Sequence, residues 1–362
     1  MIRTLLLSTI WVGLAHACQI CLPYPEDTLL DRLIAAEAVV LARENSERPF
    51  HLESVEVLRG DEVGLELYLP SSTRRMLDVY PQRAILCSRE GEEWEQLAVF
   101  KESMRPVMED LISHSWGGGM KERAAYFAPL LKHEEETLRR LAHLEVARAP
   151  YPQIRKIEHA VSKQELLQFL ANQRMVEWHA LYILLLAQMA DEADGEKIAQ
   201  RCAILADYHL TTQLSAWLLC YLETNKEQAI SNIKEWYFSE EARSPQEVGA
   251  VMQALSTFGE TEYRGDVIVF YSDLLQSHPE VLESVLLDVE RWSVRELDDD
   301  LKKLVENDVS LRIDLKQRVK KHLNSGVVSE PDARVEQFQY WWLLVPTSVL
   351  LVLTVSRCKR PA

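Results

Sequence analysis

The hydrophobic period of this 362-residue chain changes once, and that change constrains its fold more than any other feature. Before about Phe100, apolar residues come in short runs or alternate with period two. From Met120 onward they recur at helical spacing. In the first part, residues 38–42 read as a buried strand. Residues 51–58 alternate and end at the turn signal Arg59-Gly60-Asp61, and residues 65–69 alternate again until Pro70 stops them. Residues 84–87 and 94–100 flank the turn Glu90-Gly91-Glu92, and residues 28–36 read as a short helix through Leu29, Leu30, Leu33 and Ile34. Five strands in so short a stretch are expected to form a small closed or partly open barrel.

The second part reads as a helical array. Ala124, Phe127, Leu130 and Leu131 form one stripe, and Leu138, Leu141, Leu144 and Val146 form the next, ended by Pro150 and Pro152. Capping boxes are expected at Ser162/Glu165, at Ser244/Glu247 with Pro245 in first position, and at Ser293/Glu296. Residues 178–189 are apolar almost all round, which predicts a buried helix. Many short antiparallel helices are similar to the HEAT or armadillo type of solenoid. No strict repeat period is visible, so an irregular bundle stays open beside it. Trp116-Gly117-Gly118-Gly119 marks the joint between the two parts.

The ends are read as targeting segments. Residues 1–17 carry Arg3, an apolar stretch and Ala15-His16-Ala17, the pattern of a secretory signal peptide whose removal makes Cys18 the new terminus. Acylation of Cys18 is the rival reading. Residues 338–356 contain no charge, and at helical rise they span about 28 Å, close to a bilayer core. Tyr340, Trp341 and Trp342 sit at the outer end of this run, and Arg357, Lys359 and Arg360 follow it, as at a membrane anchor with a cytoplasmic tail. The expected organisation is a signal peptide (1–17), a β domain (18–105), a linker (106–119), a helical domain (120–325), a juxtamembrane linker (326–337), a transmembrane helix (338–356) and a tail (357–362). The expected location is the inner membrane, single-pass, with the N-terminal ectodomain periplasmic or extracellular.

Acidic residues outnumber Lys and Arg by 56 to 40, for a formal charge of −16, which argues against nucleic acid as a partner. The spacing Cys18-x-x-Cys21 permits a redox pair. An oxidising compartment instead favours a structural disulfide from one of the two to Cys87. Cys202 and Cys220 lie on apolar helical stripes and read as buried thiols.

Three stretches together resemble the opening of netrin-like domains: Cys18-x-x-Cys21, residues 36–43 (Ala-Glu-Ala-Val-Val-Leu-Ala-Arg) and residues 55–60 (Val-Glu-Val-Leu-Arg-Gly). The best-known members of that family are tissue inhibitors of metalloproteinases. The resemblance implies an OB-type barrel and a zinc-chelating N-terminal Cys18. The family usually has Cys-x-Cys and more disulfides than this chain offers. Residues 133–151, 181–185 and 291–294 are also similar to an uncharacterised family of bacterial exported proteins that join a Cys-bearing β domain to a helical region.

Catalytic signatures are sparse. His133-Glu134-Glu135-Glu136 has metal-binding residue types, but adjacent rather than at i, i+4, and reads as a solvated helix start. Asp298-Asp299-Asp300 reads in the same way. No His-Glu-x-x-His motif, nucleophile elbow, phosphate loop or dinucleotide fingerprint occurs. The expectation is therefore a protein-binding or scaffold module that works without metal, cofactor or catalysis, with an envelope protein as its partner. Metalloprotease inhibition through Cys18 is the first alternative, and thiol–disulfide exchange through Cys18 and Cys21 the second.

Overall fold

The structure, a computed structural model, describes residues 20–21, 27–239, 243–307 and 311–325. The chain forms two compact units, one ending at Val281 and the other beginning at Leu282.

The first unit opens on α1 (Leu29–Ala35), which Thr28 caps. Its side chain accepts from the Asp31 N–H while the Asp31 carboxylate accepts from the Thr28 N–H. Four strands follow, β1 (Ala38–Glu44), β2 (Leu52–Arg59), β3 (Arg83–Glu90) and β4 (Glu93–Lys101), with α2 (Ser71–Val79) between the two hairpins. They pair antiparallel in the order β2-β1-β3-β4. Because β2 and β4 are the two edges and do not pair, the sheet is open, which corrects the expected five-stranded barrel. The missing strand is residues 65–69. Only its end touches the sheet, through the His51–Tyr68 bridge and the Leu52 N–H to Leu67 C=O bond. Its leucines alternate for another reason: Leu69, with Leu65 and Leu67 beside it, packs on the core formed by Val40, Leu52, Ile85, Cys87 and Trp94.

Edge strand β2 pairs with β1 across two bulges, at Val55 and Leu58, which the partner register skips. Such bulges twist an edge away from further pairing, so the exposed Val55 and Val57 do not sit on a flat strand template.

Cys87 points into the same apolar core and is a free thiol, pushed up to about 12 by burial. This corrects the expected disulfide: Cys87 is not bonded to Cys21, and both are buried. Cys18 lies outside the described residues. Cys202 and Cys220 are buried free thiols, as their apolar stripes predicted.

Residues 106–119, expected as a linker, include most of α3 (Arg105–Ser113), which packs on β2 and on α1. Arg59 joins these elements. Its guanidinium donates to the Leu33 C=O at 2.7 Å and to the Ile112 C=O, so one side chain satisfies terminal carbonyls of both helices.

From here the unit is helical: α4 (Gly119–Phe127), α5 (Glu136–Ala147), α6 (Tyr151–Ile154), α7 (Lys163–Ala171), α8 (His179–Ala187), α9 (Glu192–Asp207), α10 (Leu214–Phe238), α11 (Pro245–Phe258) and α12 (Arg264–Ser277). The Ser162 and Ser244 capping boxes form as expected. Ala180–Ala187 of α8 are all buried, between α7 and α10. α10 is broken at Lys226, whose φ of 45° and ψ of −116° lie outside helical space. Before the break α10 holds Glu223, which accepts from the Tyr151 hydroxyl at 2.9 Å and pairs with Arg155 at 3.3 Å. Arg155 also grips Glu262 in the α11–α12 loop at 2.7 Å, and Lys226 lies over the Tyr263 ring.

The second unit comprises α13 (Leu282–Trp292), α14 (Asp298–Asn307) and α15 (Ile313–Asn324). The Ser293 capping box does not form. Ser293 adopts φ 55° and donates to the Glu290 C=O while the Val294 N–H reaches the Val289 C=O, so this stretch terminates α13. The next helix therefore starts later, with Asp298, Asp299 and Asp300 in its first turn.

Among the described residues no helix is long and apolar enough to cross a membrane. This corrects the expected single-pass architecture and the inner-membrane location derived from it. Residues 338–356, on which that expectation rested, lie outside the described residues, as do Tyr340, Trp341, Trp342, Arg357, Lys359, Arg360 and the expected signal peptide.

Candidate functional site

Where β4 ends, a 3-10 turn (Glu102–Met104) leads into α3, with Pro106 in the first turn of that helix. Opposite, a second 3-10 turn (Ala128–Lys132), also opened by a proline, leads to α5. Proline fixes φ and lacks an N–H, so both segments start at defined angles. Between them lies a cavity of about 460 Å³. Met104, Val107, Pro129 and Leu138 give it an apolar floor, with Met104 and Leu138 almost fully buried. Ser103, Lys132, His133, Glu134 and Glu135 form the rim. The volume falls within the roughly 300–1,000 Å³ of ligand-sized pockets.

The rim is held by its own hydrogen bonds. The Glu135 N–H donates to His133 Nδ1 at 3.0 Å, which makes Nδ1 an acceptor and leaves the proton of a neutral ring on Nε2. Arg139 donates to the His133 and Glu134 carbonyls at 2.9 and 3.3 Å. Lys101 pairs with Glu135 at 2.5 Å and Lys132 with Glu165 at 3.7 Å. Among the described residues the exposed Ser103 makes no hydrogen bond to a base, and no cysteine lines the cavity. What the site offers is a fixed shape and a charged rim.

The sequence had marked His133–Glu136 only as a helix start, and Glu136 is indeed the first residue of α5. Among the described residues no group of three His, Cys, Asp or Glu is placed to hold a metal. Met104, Val107 and Ser103 were not singled out in the sequence, since nothing local ties them to a segment some thirty residues downstream. The available signal was a proline beside each segment, Pro106 in α3 and Pro129 in the second turn.

Two buried polar clusters support this region. In the first, Arg123 pairs with Asp31 at 2.6 Å and reaches Glu145 at 3.5 Å, Arg148 also pairs with Asp31, and the Thr28 hydroxyl donates to Glu145. Burial alone raises the Asp31 pKa. The Thr28 N–H and the two guanidiniums outweigh that and hold it down to about 2. Glu145, wholly buried, moves the other way because desolvation dominates. Asp31 thus adds stability that is present above pH 4 and fades as pH falls toward 2, whereas an ionised Glu145 is a cost that grows as pH rises. Asp31→Asn is expected to lose about 2 kcal/mol at pH 7, and Glu145→Gln under about 1 kcal/mol, in urea denaturation. Equal losses would contradict the assignment.

In the second cluster, wholly buried His143 donates from Nδ1 to the Arg139 C=O at 2.6 Å, and its Nε2 accepts from the Tyr182 hydroxyl. Trp178 covers the ring at 4.8 Å.

No match to this chain was found among protein-family models, curated proteins or solved structures.

Proposed function

We propose that this chain is a protein-binding module and that the cavity between the two 3-10 turns is its recognition site. The observation that carries the reading is the pairing of an apolar floor with a charged rim that is partly fixed, by the Glu135 N–H on His133, by Lys101 on Glu135 and by Arg139 on the His133 and Glu134 carbonyls. Interfaces draw most of their affinity from one or two anchor side chains seated in such pockets, ringed by polar contacts that exclude water. A prepared rim reduces the ordering cost of binding. The nucleophile–base pairing that would favour a hydrolytic reading does not occur at this rim.

A photo-crosslinking amino acid at Lys132 is expected to give one discrete protein adduct in the native cell. Ser103→Trp, which sets an indole over the cavity from an exposed position, is expected to reduce that adduct at least ten-fold without lowering the melting temperature. An adduct unaffected by Ser103→Trp would overturn the reading.

A further inference from the structure

We infer that this chain exchanges the helices that follow Lys226 with a second copy of itself, with Lys226 as the hinge. The starting point is a reversal of direction inside α10. In a straight helix Tyr221 and Trp236 would stand about 22 Å apart along the axis. Their rings instead stack at 5.7 Å, and the Asn232 amide donates to the Tyr221 hydroxyl at 2.7 Å. The two halves of α10 therefore fold back on each other, and the non-helical backbone inside it is at Lys226.

The reversal is made without a turn residue. Residues 214–238 contain no glycine or proline, and of residues 223–229 only Thr224 and Asn225 are weak helix formers. Lys226 has φ 45° and ψ −116°, the mirror image of extended backbone, which glycine enters freely and a residue with a Cβ only under strain. Local preference thus favours one continuous helix where the fold imposes a hairpin. Short hinges under such strain are the places where identical chains exchange elements. Little besides the hinge has to change. Arg155 pairs with Glu262 at 2.7 Å, Arg243 donates to the Ala206 C=O at 2.7 Å, and His209 meets Glu247 at 3.2 Å, each contact joining the chain before Lys226 to the chain after it. In the exchanged dimer the same contacts form between copies, and the strain is relieved at both hinges, which offsets the entropy lost on joining two chains. The residues lining the cavity, Ser103 to Leu138, all precede the hinge, so the dimer carries two cavities.

The test unfolds the full chain in urea, refolds it at about 1 μM and at about 200 μM, and reads its mass by light scattering. The expected result is monomer at the lower concentration and dimer at the higher. Lys226→Gly relieves the hairpin and weakens the continuous helix, at both hinges of a dimer, so its dimerisation should be at least about a hundred-fold weaker. Its monomer should melt no lower than the parent's. Lys226→Ala keeps the Cβ and the strain, so it should dimerise at least as well as the parent. A dimer that Lys226→Gly leaves unchanged would overturn the inference. So would a dimer lost in both variants, since the lysine side chain would then be an ordinary contact between copies. Monomer at about 200 μM in both the parent and Lys226→Ala, or a lower melting temperature in Lys226→Gly, would equally overturn it.

Discussion

Gly60→Ala is expected to cost about 2–5 kcal/mol, a large part of the usual total stability of about 5–15 kcal/mol. Two costs coincide at this position. Gly60 has φ +69°, where a residue with a Cβ pays roughly 1–2 kcal/mol. The added carbon would also lie 2.3 Å from the Glu37 carbonyl oxygen and 2.9 Å from the Ala38 Cα, both backbone atoms, so nothing soft gives way. Relieving such overpacking costs about 1–3 kcal/mol more. The damage would spread, because Arg59, the preceding residue, holds the ends of α1 and α3. Gly64 and Gly91 are the controls. Both have positive φ, but open space surrounds the added carbon, so alanine there should cost only the roughly 1–2 kcal/mol of the backbone conformation. Urea midpoints of the three variants check this. Similar losses at all three would remove the close approach as the cause.

The second large effect is on pH dependence. Burial, helped by the Arg139 guanidinium and opposed by the carbonyl of the same residue, pushes the His143 pKa down to about 4. The folded state therefore keeps this ring neutral while the unfolded chain takes up a proton near pH 6.5. The contribution to stability is complete above pH 6.5 and is lost as pH falls toward 4. The loss is about 2 kcal/mol by pH 5 and roughly 3 kcal/mol at the end of the window. Other histidines add their own slopes, so the measurement is a difference. Stability is compared at pH 7 and pH 5 in the parent chain and in His143→Gln. The variant is expected to show about 2 kcal/mol less acid loss than the parent. Identical slopes would mean that His143 titrates normally.

Much of the architecture was legible because burial imposes its period on sequence. The four strands, the Ser162 and Ser244 caps and the buried α8 all follow from local pattern. The misreadings share a cause, which is that one pattern serves two structures. Leu65, Leu67 and Leu69 alternate because they lie over a core, not because they extend a ladder. Cys87 alternates inward with Ile85, so its thiol faces apolar side chains instead of another cysteine. Ser293 and Glu296 have the spacing of a cap, but ending α13 required Ser293 to be left-handed. The cavity was the least legible part, since its floor joins residues 104–107 to residues 129–138. Arg59 was read as part of a turn signal, because only the fold brings two helix ends within its reach.

The break in α10 has a thermodynamic consequence for the array. An unbroken 25-residue helix would transmit unfolding along its length, because each turn supports the next. At Lys226 that support is interrupted: across the break the Asn232 amide donates to the Tyr221 hydroxyl at 2.7 Å, and Arg155 ties Glu223, before the break, to Glu262 in the α11–α12 loop. The α8–α9 side and the α11–α12 side thus become separable cooperative blocks, coupled by a side-chain clasp whose strength depends on charge. Local opening of the α11–α12 side is therefore expected to leave the two 3-10 turns that line the cavity folded.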